Sequence, residues 1–297
     1  MVDRLAYDVV DVFTDTAFTG NPLAVVHDAD GLHDAQLQAI ATEFHLSETA
    51  FPVTPAPDDL AAGAAYRLRI FTPETELPFA GHPSVGTAWL LARQGRIAPG
   101  PVVQACGAGL LGLAVSDGEG PVELTGGRPE LGPDADVDAV LAAVGLGHPH
   151  LDHAIAPARI AAAGLPFVIL PVRADALGEC EVDVAALREV DRRHGMTGVY
   201  VVAVDLPARA VRARMFAADI GVSEDPATGS AALALGVWLG ASGRLADGEH
   251  GLVVQQGVEL GRPSLLRVTA LVDGAEPRQV RVAGDVVHVA SGTIRVP

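Results

Sequence analysis

The chain has 297 residues and a formal net charge of −17, with 20 Lys and Arg against 37 Asp and Glu. A protein this acidic repels nucleic-acid phosphates and anionic lipid surfaces, so we expect neither nucleic acid nor a membrane as a partner. Apolar residues make up 49% of the sequence and charged residues 19%, which excludes a disordered chain and provides enough core for two globular domains.

Apolar residues that alternate with polar ones predict half-buried strands, and apolar residues at helical spacing predict helices. In the first half these patterns predict strands at 8–13, 23–26, 50–53, 66–71, 102–103, 111–115 and 122–124, and helices at 37–44 and 85–92. In the second half they predict helices at 137–144 and 230–239, strands at 167–172 and 199–204, and a mostly strand-like stretch at 252–296. Pro- and Gly-rich segments between 118 and 133 are candidate linkers, so we predict domains at 1–117 and 118–297, with the final strand able to return to the first domain.

Cysteine content and hydrophobic patterning indicate the compartment. Two cysteines, Cys106 and Cys180, exclude a disulfide framework and a Cys-rich zinc site. The first 13 residues lack the basic-then-apolar plan of a signal peptide. The longest uncharged apolar stretch, at 231–241, is far shorter than the ~20 residues that span a bilayer. We therefore expect a cytoplasmic protein.

Two segments of the chain resemble each other about half a chain length apart. Arg69-Ile70-Phe71 precedes the sequence GHPSVGTA at 81–88, and Arg214-Met215-Phe216 precedes EDPATGSA at 224–231. Aligned on their prolines and glycines, the two motifs place His82 opposite Asp225, and two shorter matches keep a similar offset. This repeat predicts a duplicated fold with two similar α/β domains that face each other across a cleft.

Each motif also predicts the start of a helix. A proline, the residue favoured at the first helical position, follows His82 and Asp225, and an apolar helical segment comes next. We expect the backbone N–H groups and positive dipole ends of two such helices to bind a small carboxylate. Two capped helices packed against each other are the alternative. Capping accounts for Asp225 and Ser230, but less well for His82, because His is a poor cap.

Glu48 is the candidate base. It lies between a predicted helix and a short apolar strand, and its counterpart in the second half is Thr197. Partial desolvation there would raise the pKa of its carboxyl towards neutrality, as a base that removes a proton from carbon requires. An exposed and inert carboxylate at a turn is the alternative.

Through these motifs the chain resembles the PhzF-like family of phenazine biosynthesis isomerases, relatives of diaminopimelate epimerase and proline racemase. The matching segments are DVF at 11–13, FTGNPLAV at 18–25, LSETAF at 46–51, RIFTP at 69–73, GHPSVGTA at 81–88, EDPATGSAA at 224–232, His250-Gly251, and Gln255-Gln256-Gly257 to Gly261-Arg262. The resemblance covers nearly the whole chain. It implies an α+β, duplicated diaminopimelate epimerase-like fold, with two similar domains that each wrap a barrel-like sheet around a central helix, and an active site in the cleft between them.

The resemblance also implies roles for individual residues. The base of the family is the glutamate of an S-E-T motif, which corresponds to Glu48, and the other catalytic positions correspond to His82 and Asp225. Groups at the two helix starts would bind the substrate carboxylate, and the corresponding residues are Gly81, Ser84, Thr228, Gly229 and Ser230. The resemblance implies no metal and no organic cofactor, and a homodimer.

The activity implied is that of a cofactor-independent isomerase, which moves a proton and a double bond in a small carboxylated metabolite such as trans-2,3-dihydro-3-hydroxyanthranilate. An amino- or hydroxy-acid epimerase or racemase is an alternative. The cysteine pair of such enzymes is missing here, since Ala80, His82 and Pro226 stand near the two helix starts. A non-catalytic protein that binds a small molecule on the same fold is a second alternative.

Two further patterns have simpler explanations. The G-x-G-x-x-G pattern at 107–112 continues as a strand, so we interpret it as a glycine-rich bend and not as a dinucleotide site. His148, His150 and His153 form a dense imidazole cluster that could bind a metal. The neighbouring prolines and glycines favour a surface loop instead.

Overall fold

The computed structural model describes residues 3–297. The strands are β1 (Arg4–Val12), β2 (Asn21–Val26), β3 (Glu48–Val53), β4 (Tyr66–Phe71), β5 (Glu76–Leu77), β6 (Gly100–Cys106), β7 (Gly109–Val115), β8 (Val122–Thr125), β9 (Glu130–Asp134), β10 (Arg159–Ala162), β11 (Pro166–Pro171), β12 (Gly198–Asp205), β13 (Ala210–Ala217), β14 (Val222–Asp225), β15 (Gly248–Gln256), β16 (Ser264–Asp273), β17 (Glu276–Gly284) and β18 (Val286–Arg295). The helices are α1 (Asp34–Phe44), α2 (Pro57–Ala61), α3 (Gly81–Arg93), α4 (Val137–Ala143), α5 (Val184–His194) and α6 (Gly229–Ala241), and the short 3-10 turns are His148–His150, Ala174–Glu179 and Ala218–Ile220. Within the described residues, every helix is too short or too polar to cross a membrane.

These residues divide into two compact units. The first unit contains the described residues up to Thr125 together with Ala283–Pro297, and the second contains Gly126–Val282. The division lies beyond the 117/118 boundary drawn from the sequence, because β8 pairs antiparallel with β7 and completes a hairpin of the first unit. The C-terminal strand also belongs to the first unit, since β18 pairs antiparallel with β1 along nearly its whole length.

The first unit wraps its sheet around one helix. The strands follow the order β18-β1-β2-β3-β4-β6-β7-β8, with parallel pairs at β2–β3 and β4–β6. α3 packs against strands along this sheet, and its residues Gly81 to Leu91 are all buried. Gly86 allows the close approach, because a Cβ there would come within 2.7 Å of Val12 Cγ2 and 2.8 Å of Leu23 Cδ2. The central helix expected in this half is therefore α3.

The second unit repeats the plan. Its strands follow the order β9-β10-β11-β12-β13-β15-β16, and the parallel pairs are β11–β12 and β13–β15. α6 is buried from Gly229 to Gly240 and packs against β9, β10, β11 and β16. A helix that is apolar on all sides belongs in a core, which explains its central position. The same succession of pairings in both units confirms the predicted duplication.

Strand registers show which residue of the second unit corresponds to Glu48. Phe71 on β4 pairs with the second residue of β3, and Phe216 on β13 pairs with the second residue of β12. Gly198, rather than the predicted Thr197, therefore corresponds to Glu48. A Cβ at Gly198 would overlap the carbonyl oxygen of Phe216, so the second unit has no space for a side chain at this position.

The helix starts correct the alignment of the two motifs. α3 begins at Gly81 and α6 begins at Gly229, so His82 corresponds to Ser230. Asp225 lies earlier, at the end of β14. The alignment of His82 with Asp225 is therefore wrong. The error arises from the 3-10 turn that precedes β14, because this turn lengthens the connection to α6. An alignment that matches only prolines and glycines does not detect this extra turn.

The glycine-rich segment at 107–112 forms the turn of a β-hairpin. Cys106 at the end of β6 pairs with Gly109 at the start of β7, and Gly107 and Ala108 connect them. β7 follows where a dinucleotide site would need a helix. The interpretation of this segment as a bend is confirmed.

The histidine cluster contributes to local structure. His148 and His150 lie in a 3-10 turn, where His148 Nε2 is 2.6 Å from Asp138 Oδ1 and His150 Nδ1 accepts the N–H of Gly147 across 2.9 Å. Within the described part of the chain, no group of three or more His, Cys, Asp and Glu side chains is arranged to hold a metal ion.

Candidate active site

The two acid/base candidates of the first unit lie next to each other. Glu48 is the first residue of β3, and His82 is the second residue of α3. Both are buried, with exposed fractions of 7% for Glu48 and 3% for His82. His82 Nε2 lies 3.6 Å from Glu48 Oε2. The fold thus joins two residues that are separated along the chain by a helix and two strands.

Local backbone structure explains how Glu48 reaches this position. α1 is followed by His45, which adopts the left-handed conformation with φ 52° and turns the chain back towards the sheet. β3 then runs parallel to β2, where Leu23 stands opposite Glu48. This register holds the carboxyl group of Glu48 beside the first turn of α3, where the helix dipole favours a negative charge.

Hydrogen bonds determine which nitrogen of His82 carries the proton. The amide Nδ2 of Asn21 donates to His82 Nδ1 across 3.1 Å, and the Ser47 hydroxyl donates to Asn21 Oδ1 across 3.1 Å. Because Nδ1 is an acceptor, the ring proton lies on Nε2, the nitrogen that faces Glu48. Burial lowers the pKa of His82 to about 3, so the imidazole is neutral at pH 7.

Asn21 is a site residue that the sequence interpretation missed. The T-G-N-P segment at 19–22 has the composition of a turn, and Gly20 adopts the positive φ of 68° that a turn requires. Asn21 itself begins β2 and is fully buried. A polar residue at the start of the apolar strand at 21–26 was the available signal, since a buried amide must find partners.

The predicted carboxylate-binding residues of the first unit, Gly81 and Ser84, lie at the start of α3. Ala80 is the cap residue and its side chain makes no cap hydrogen bond, and the first N–H groups of a helix are suited to bind an anion. The Ser84 hydroxyl donates to Ala80 O across 2.9 Å and accepts from Gln104 Nε2 across 3.0 Å. Its hydroxyl therefore holds the helix start in place.

In the second unit, Asp225 is the buried carboxyl group beside a helix start. It is 4% exposed and ends β14, four residues before Gly229. The residue at the cap position of α6 is Thr228, and it makes no side-chain cap hydrogen bond. Its hydroxyl donates instead to Asp225 Oδ2 across 2.5 Å. Thr228, and not Asp225, therefore occupies the cap position of α6, and a chemical role for Asp225 stays a prediction.

Gly229 and Ser230 form the first turn of α6, and both are buried. Because the rest of the helix is apolar, this turn is the polar end that the second unit offers to an anion. Gln256, at the end of β15, contacts the same turn through a hydrogen bond to Thr228. The sequence comparison included Gln256 in a motif but gave it no role.

Neither cysteine belongs to the first turn of α3 or α6. Cys106 ends β6 and Cys180 follows a 3-10 turn, and both are buried. Burial raises the pKa of both thiols, that of Cys180 to about 11. Both are therefore protonated at pH 7, and neither supplies the thiolate base of a two-cysteine racemase.

The structure groups the candidate residues into two clusters, one in each unit. Glu48 and His82 share the first turn of α3, and Asp225 lies beside Thr228 and the first turn of α6. Each cluster combines a buried carboxyl group with a helix N-terminus whose cap residue makes no side-chain cap hydrogen bond. Such a cluster can bind an anionic group and exchange a proton with it. Their joint action on one ligand stays a prediction.

Comparison with known proteins covers nearly the whole chain. The model of a family described as phenazine biosynthesis-like protein matches residues 10–292. An uncharacterized isomerase from Mesorhizobium japonicum is 38% identical, with 97% of this chain and 98% of the relative covered. The trans-2,3-dihydro-3-hydroxyanthranilate isomerase of Pseudomonas fluorescens is 34% identical, with 97% of this chain and 98% of the relative covered.

Solved structures agree with the fold described above. A phenazine biosynthesis protein of the PhzF family from Bacillus anthracis has a TM-score of 0.86 at 25% identity, with 99% of both chains covered. A hydroxyproline epimerase from Agrobacterium vitis has a TM-score of 0.69 at 15% identity, with 99% of this chain and 93% of that chain covered, and this likeness shows the fold alone. Together they confirm the α+β, diaminopimelate epimerase-like fold that the sequence led us to expect.

Proposed function

Because this isomerase belongs to the phenazine biosynthesis-like protein family, we propose that it moves a proton between two carbon atoms of a small carboxylated metabolite and so shifts a double bond. The observation that carries the proposal is the buried pair of Glu48 and His82, whose Oε2 and Nε2 atoms lie 3.6 Å apart. The first substrate to test is trans-2,3-dihydro-3-hydroxyanthranilate, the compound that the Pseudomonas fluorescens relative is named for.

Glu48 is the base in this scheme. Its carboxylate takes a proton from a carbon atom, and the electron pair of the broken C–H bond moves into the adjacent conjugated system. The Glu48 carboxyl then returns the proton to the carbon at the other end of that system. No electron enters or leaves, so the product is an isomer. A buried carboxyl group is suited to this work because a base freed from water is stronger.

His82 supports the base without adding charge. Its Nε2–H faces Glu48 Oε2 at 3.6 Å, just beyond hydrogen-bond distance, while Asn21 holds the opposite ring nitrogen. An imidazolium in this position would stabilise the carboxylate and weaken it as a base. The lowered pKa of His82, about 3, keeps the ring neutral and avoids that loss.

Each helix start is suited to bind a carboxylate group. The first turn of α3 at Gly81 and the first turn of α6 at Gly229 and Ser230 present backbone N–H groups and a positive dipole end. Asp225 is the second acid/base group, with its carboxylate held by Thr228. Donors placed where negative charge develops also stabilise the carbanion-like transition state.

The variant Glu48→Gln tests the proposal. It keeps the size of the side chain and removes the base, so we expect kcat to fall by roughly 10²–10⁴-fold, the usual contribution of a general base. The measurement is the conversion of trans-2,3-dihydro-3-hydroxyanthranilate, followed by absorbance. Glu43→Gln is the matched control, because Glu43 is an exposed residue of α1 five positions earlier, and this variant should keep the wild-type rate.

Three results would contradict this function. If Glu48→Gln turns over at a rate close to that of Glu43→Gln, Glu48 is not the base. If the wild-type enzyme exchanges the α-proton of amino or hydroxy acids and leaves the conjugated substrate unchanged, the activity is that of an epimerase. Ligand binding without any proton exchange would indicate a binding protein.

A further inference from the structure

A chain of buried hydrogen bonds lies behind Asp225. The Tyr200 hydroxyl donates to Gln256 Oε1 across 3.0 Å, and Gln256 Nε2 donates to Thr228 Oγ1 across 3.0 Å and to the Asp225 carbonyl oxygen across 2.7 Å. The Thr228 hydroxyl then donates to Asp225 Oδ2. Tyr200 and Gln256 have no exposed surface, so neither can touch a substrate.

The hydrogen-bond partners of Gln256 determine which groups donate and which accept along this chain of hydrogen bonds. Its Oε1 accepts from the Tyr200 hydroxyl and from the N–H of Thr228 at 3.2 Å, and its Nε2 donates to two oxygen atoms. All four hydrogen-bonding positions of the amide are therefore used, which determines its orientation. Thr228 Oγ1 accepts from Gln256, and its own proton points to Asp225 because an ionised carboxylate oxygen can only accept.

Tyr200 remains a donor at the far end of the chain. Burial raises the pKa of its phenol well above the ordinary value, and the nearby charge of Asp225 raises it further. The proton therefore stays on the phenol throughout the working pH range. Linked hydrogen bonds of this kind polarise one another, so the first donor strengthens the last.

The first unit contains a similar chain with a different end. The Tyr66 hydroxyl donates to Gln104 Oε1 across 2.8 Å, Gln104 Nε2 donates to Ser84 Oγ, and Ser84 donates to the Ala80 carbonyl oxygen. Both chains join a tyrosine, a glutamine and a hydroxyl group at the start of a central helix. The first ends on a neutral backbone carbonyl, and the second ends on the carboxylate of Asp225.

We propose that Gln256 and Tyr200 are positioning residues of the isomerase reaction, which act through Thr228 to orient the carboxylate of Asp225 and to keep it ionised. The inference rests on the proposed function, because it assigns Asp225 an acid/base role. Hydrogen bonds donated to a carboxylate favour its ionised form, so each link that is removed makes Asp225 easier to protonate. The structure of the first unit provides the comparison, since its chain has no acid at the end.

Two matched pairs of variants test the inference: Tyr200→Phe with Tyr66→Phe, and Gln256→Met with Gln104→Met. Each pair removes the same buried group from the two units. We expect Tyr200→Phe to lower kcat about 5–20-fold, at about 10-fold for each 1.4 kcal/mol of hydrogen-bond energy, with KM changed less than about twofold. The acid limb of its kcat profile should move to higher pH. Tyr66→Phe should leave the position of that limb unchanged, and the glutamine pair should show the same contrast more strongly.

A second readout does not depend on activity. The free energy of unfolding is measured in urea at pH 7 and pH 4 for the wild type and the two tyrosine variants. The deficit of Tyr200→Phe should be smaller at pH 4 than at pH 7, because protonation of the Asp225 carboxylate removes the charge that the chain stabilises, and the deficit of Tyr66→Phe should be equal at both pH values.

The outcomes separate this inference from the proposed function. Equal pH profiles and equal pH-independent deficits for Tyr200→Phe and Tyr66→Phe would overturn the positioning role. A wild-type enzyme without isomerase activity would overturn the proposed function, and the urea comparison would still decide whether the chain acts on Asp225. If Gln256→Met does not fold, Tyr200→Phe alone decides, because it removes a single oxygen atom.

Discussion

A buried histidine that stays neutral has a measurable effect on stability. His82 is 3% exposed, and burial lowers its pKa to about 3, against an ordinary value near 6.5. The unfolded chain therefore takes up a proton at His82 below about pH 6.5, whereas the folded protein does not until about pH 3. This difference favours the unfolded state, so the free energy of unfolding falls as the pH drops below about 6.5.

The variant His82→Gln tests this residue directly. Between pH 7.5 and pH 5 the wild type should lose about 2 kcal/mol of unfolding free energy through His82, since each pH unit below the unfolded pKa is worth about 1.4 kcal/mol. His82→Gln lacks the titrating ring and should lose correspondingly less. The measurement is urea unfolding at both pH values. His153→Gln, which changes an exposed histidine, is the control and should behave as the wild type. A His82→Gln protein with the same pH dependence as His153→Gln would show that His82 is not held neutral.

Single residues show how far the sequence alone leads. Motif comparison identifies Glu48, His82 and Asp225 as candidate site residues, because their residue types and spacing can be read directly from the sequence. The hydroxyl of Ser84 was assigned to substrate binding, yet it bonds to Ala80 and Gln104 within the unit. Partners of this kind come from distant strands, so they can be found only once the strands are in place.

Among the secondary-structure elements, two Arg–Glu pairs each join two neighbouring strands that precede a central helix. Arg69 on β4 binds Glu76 on β5 through Nε and Nη2, at 2.8 and 2.6 Å. Arg214 on β13 binds Glu224 on β14 in the same two-pronged way, at 2.8 Å for both contacts. Each guanidinium also lies over a phenylalanine ring of its own strand. Glu224 directly precedes Asp225, so this pair also helps to position the acid.

The two pairs differ in burial, and this difference predicts their energies. The side chains of Arg214 and Glu224 are 11% and 13% exposed, against 23% and 41% for Arg69 and Glu76. Breaking a buried pair leaves an uncompensated charge, so Arg214→Met should lower the free energy of unfolding by about 3 kcal/mol or more. Arg69→Met should cost about 1 kcal/mol or less, because water screens the charge that remains. Urea unfolding of both variants at pH 7 provides the measurement, and equal losses would show that burial does not govern these pairs.

Helices and strands whose apolar residues recur at a regular spacing could be predicted from the sequence, and those with few apolar residues could not. The strict alternation of YRLRIF predicts a strand at 66–71, which is the span of β4. α5 was missed because only Leu187, Val190 and Asp191 on this helix are buried. The residues at the two ends of α5 were better indicators of a helix. The Asp183 side chain accepts the N–H groups of the first turn, and Gly195 ends the helix in the left-handed conformation.

At the scale of the whole molecule, the duplication is complete in topology and incomplete in chemistry. Both units repeat the same parallel pairs and the same central helix. Glu48 nevertheless corresponds to Gly198, where the carbonyl oxygen of Phe216 leaves no space for a side chain. His82 corresponds to Ser230. The two halves therefore carry different functional groups on the same fold.

The repeat could be recognised from the sequence, but the residue-by-residue correspondence between the two halves could not. Matching letters align prolines and glycines, whereas the true correspondence follows from strand pairs and helix starts. The return of the C-terminal strand has a similar explanation. β18 belongs to the first unit because β1 needs a partner on its outer side, and the alternating pattern of 286–295 alone does not identify which strand it joins.

In the proposed reaction, Glu48 carries a proton from one carbon of the substrate to another. The most direct test is proton NMR of trans-2,3-dihydro-3-hydroxyanthranilate in D₂O with the wild type, Glu48→Gln and Glu43→Gln. We predict that the wild type and Glu43→Gln convert the compound and that Glu48→Gln does not, with deuterium at the newly protonated carbon only to the extent that the proton on Glu48 exchanges with D₂O before it returns. Conversion by Glu48→Gln at the wild-type rate would contradict this mechanism.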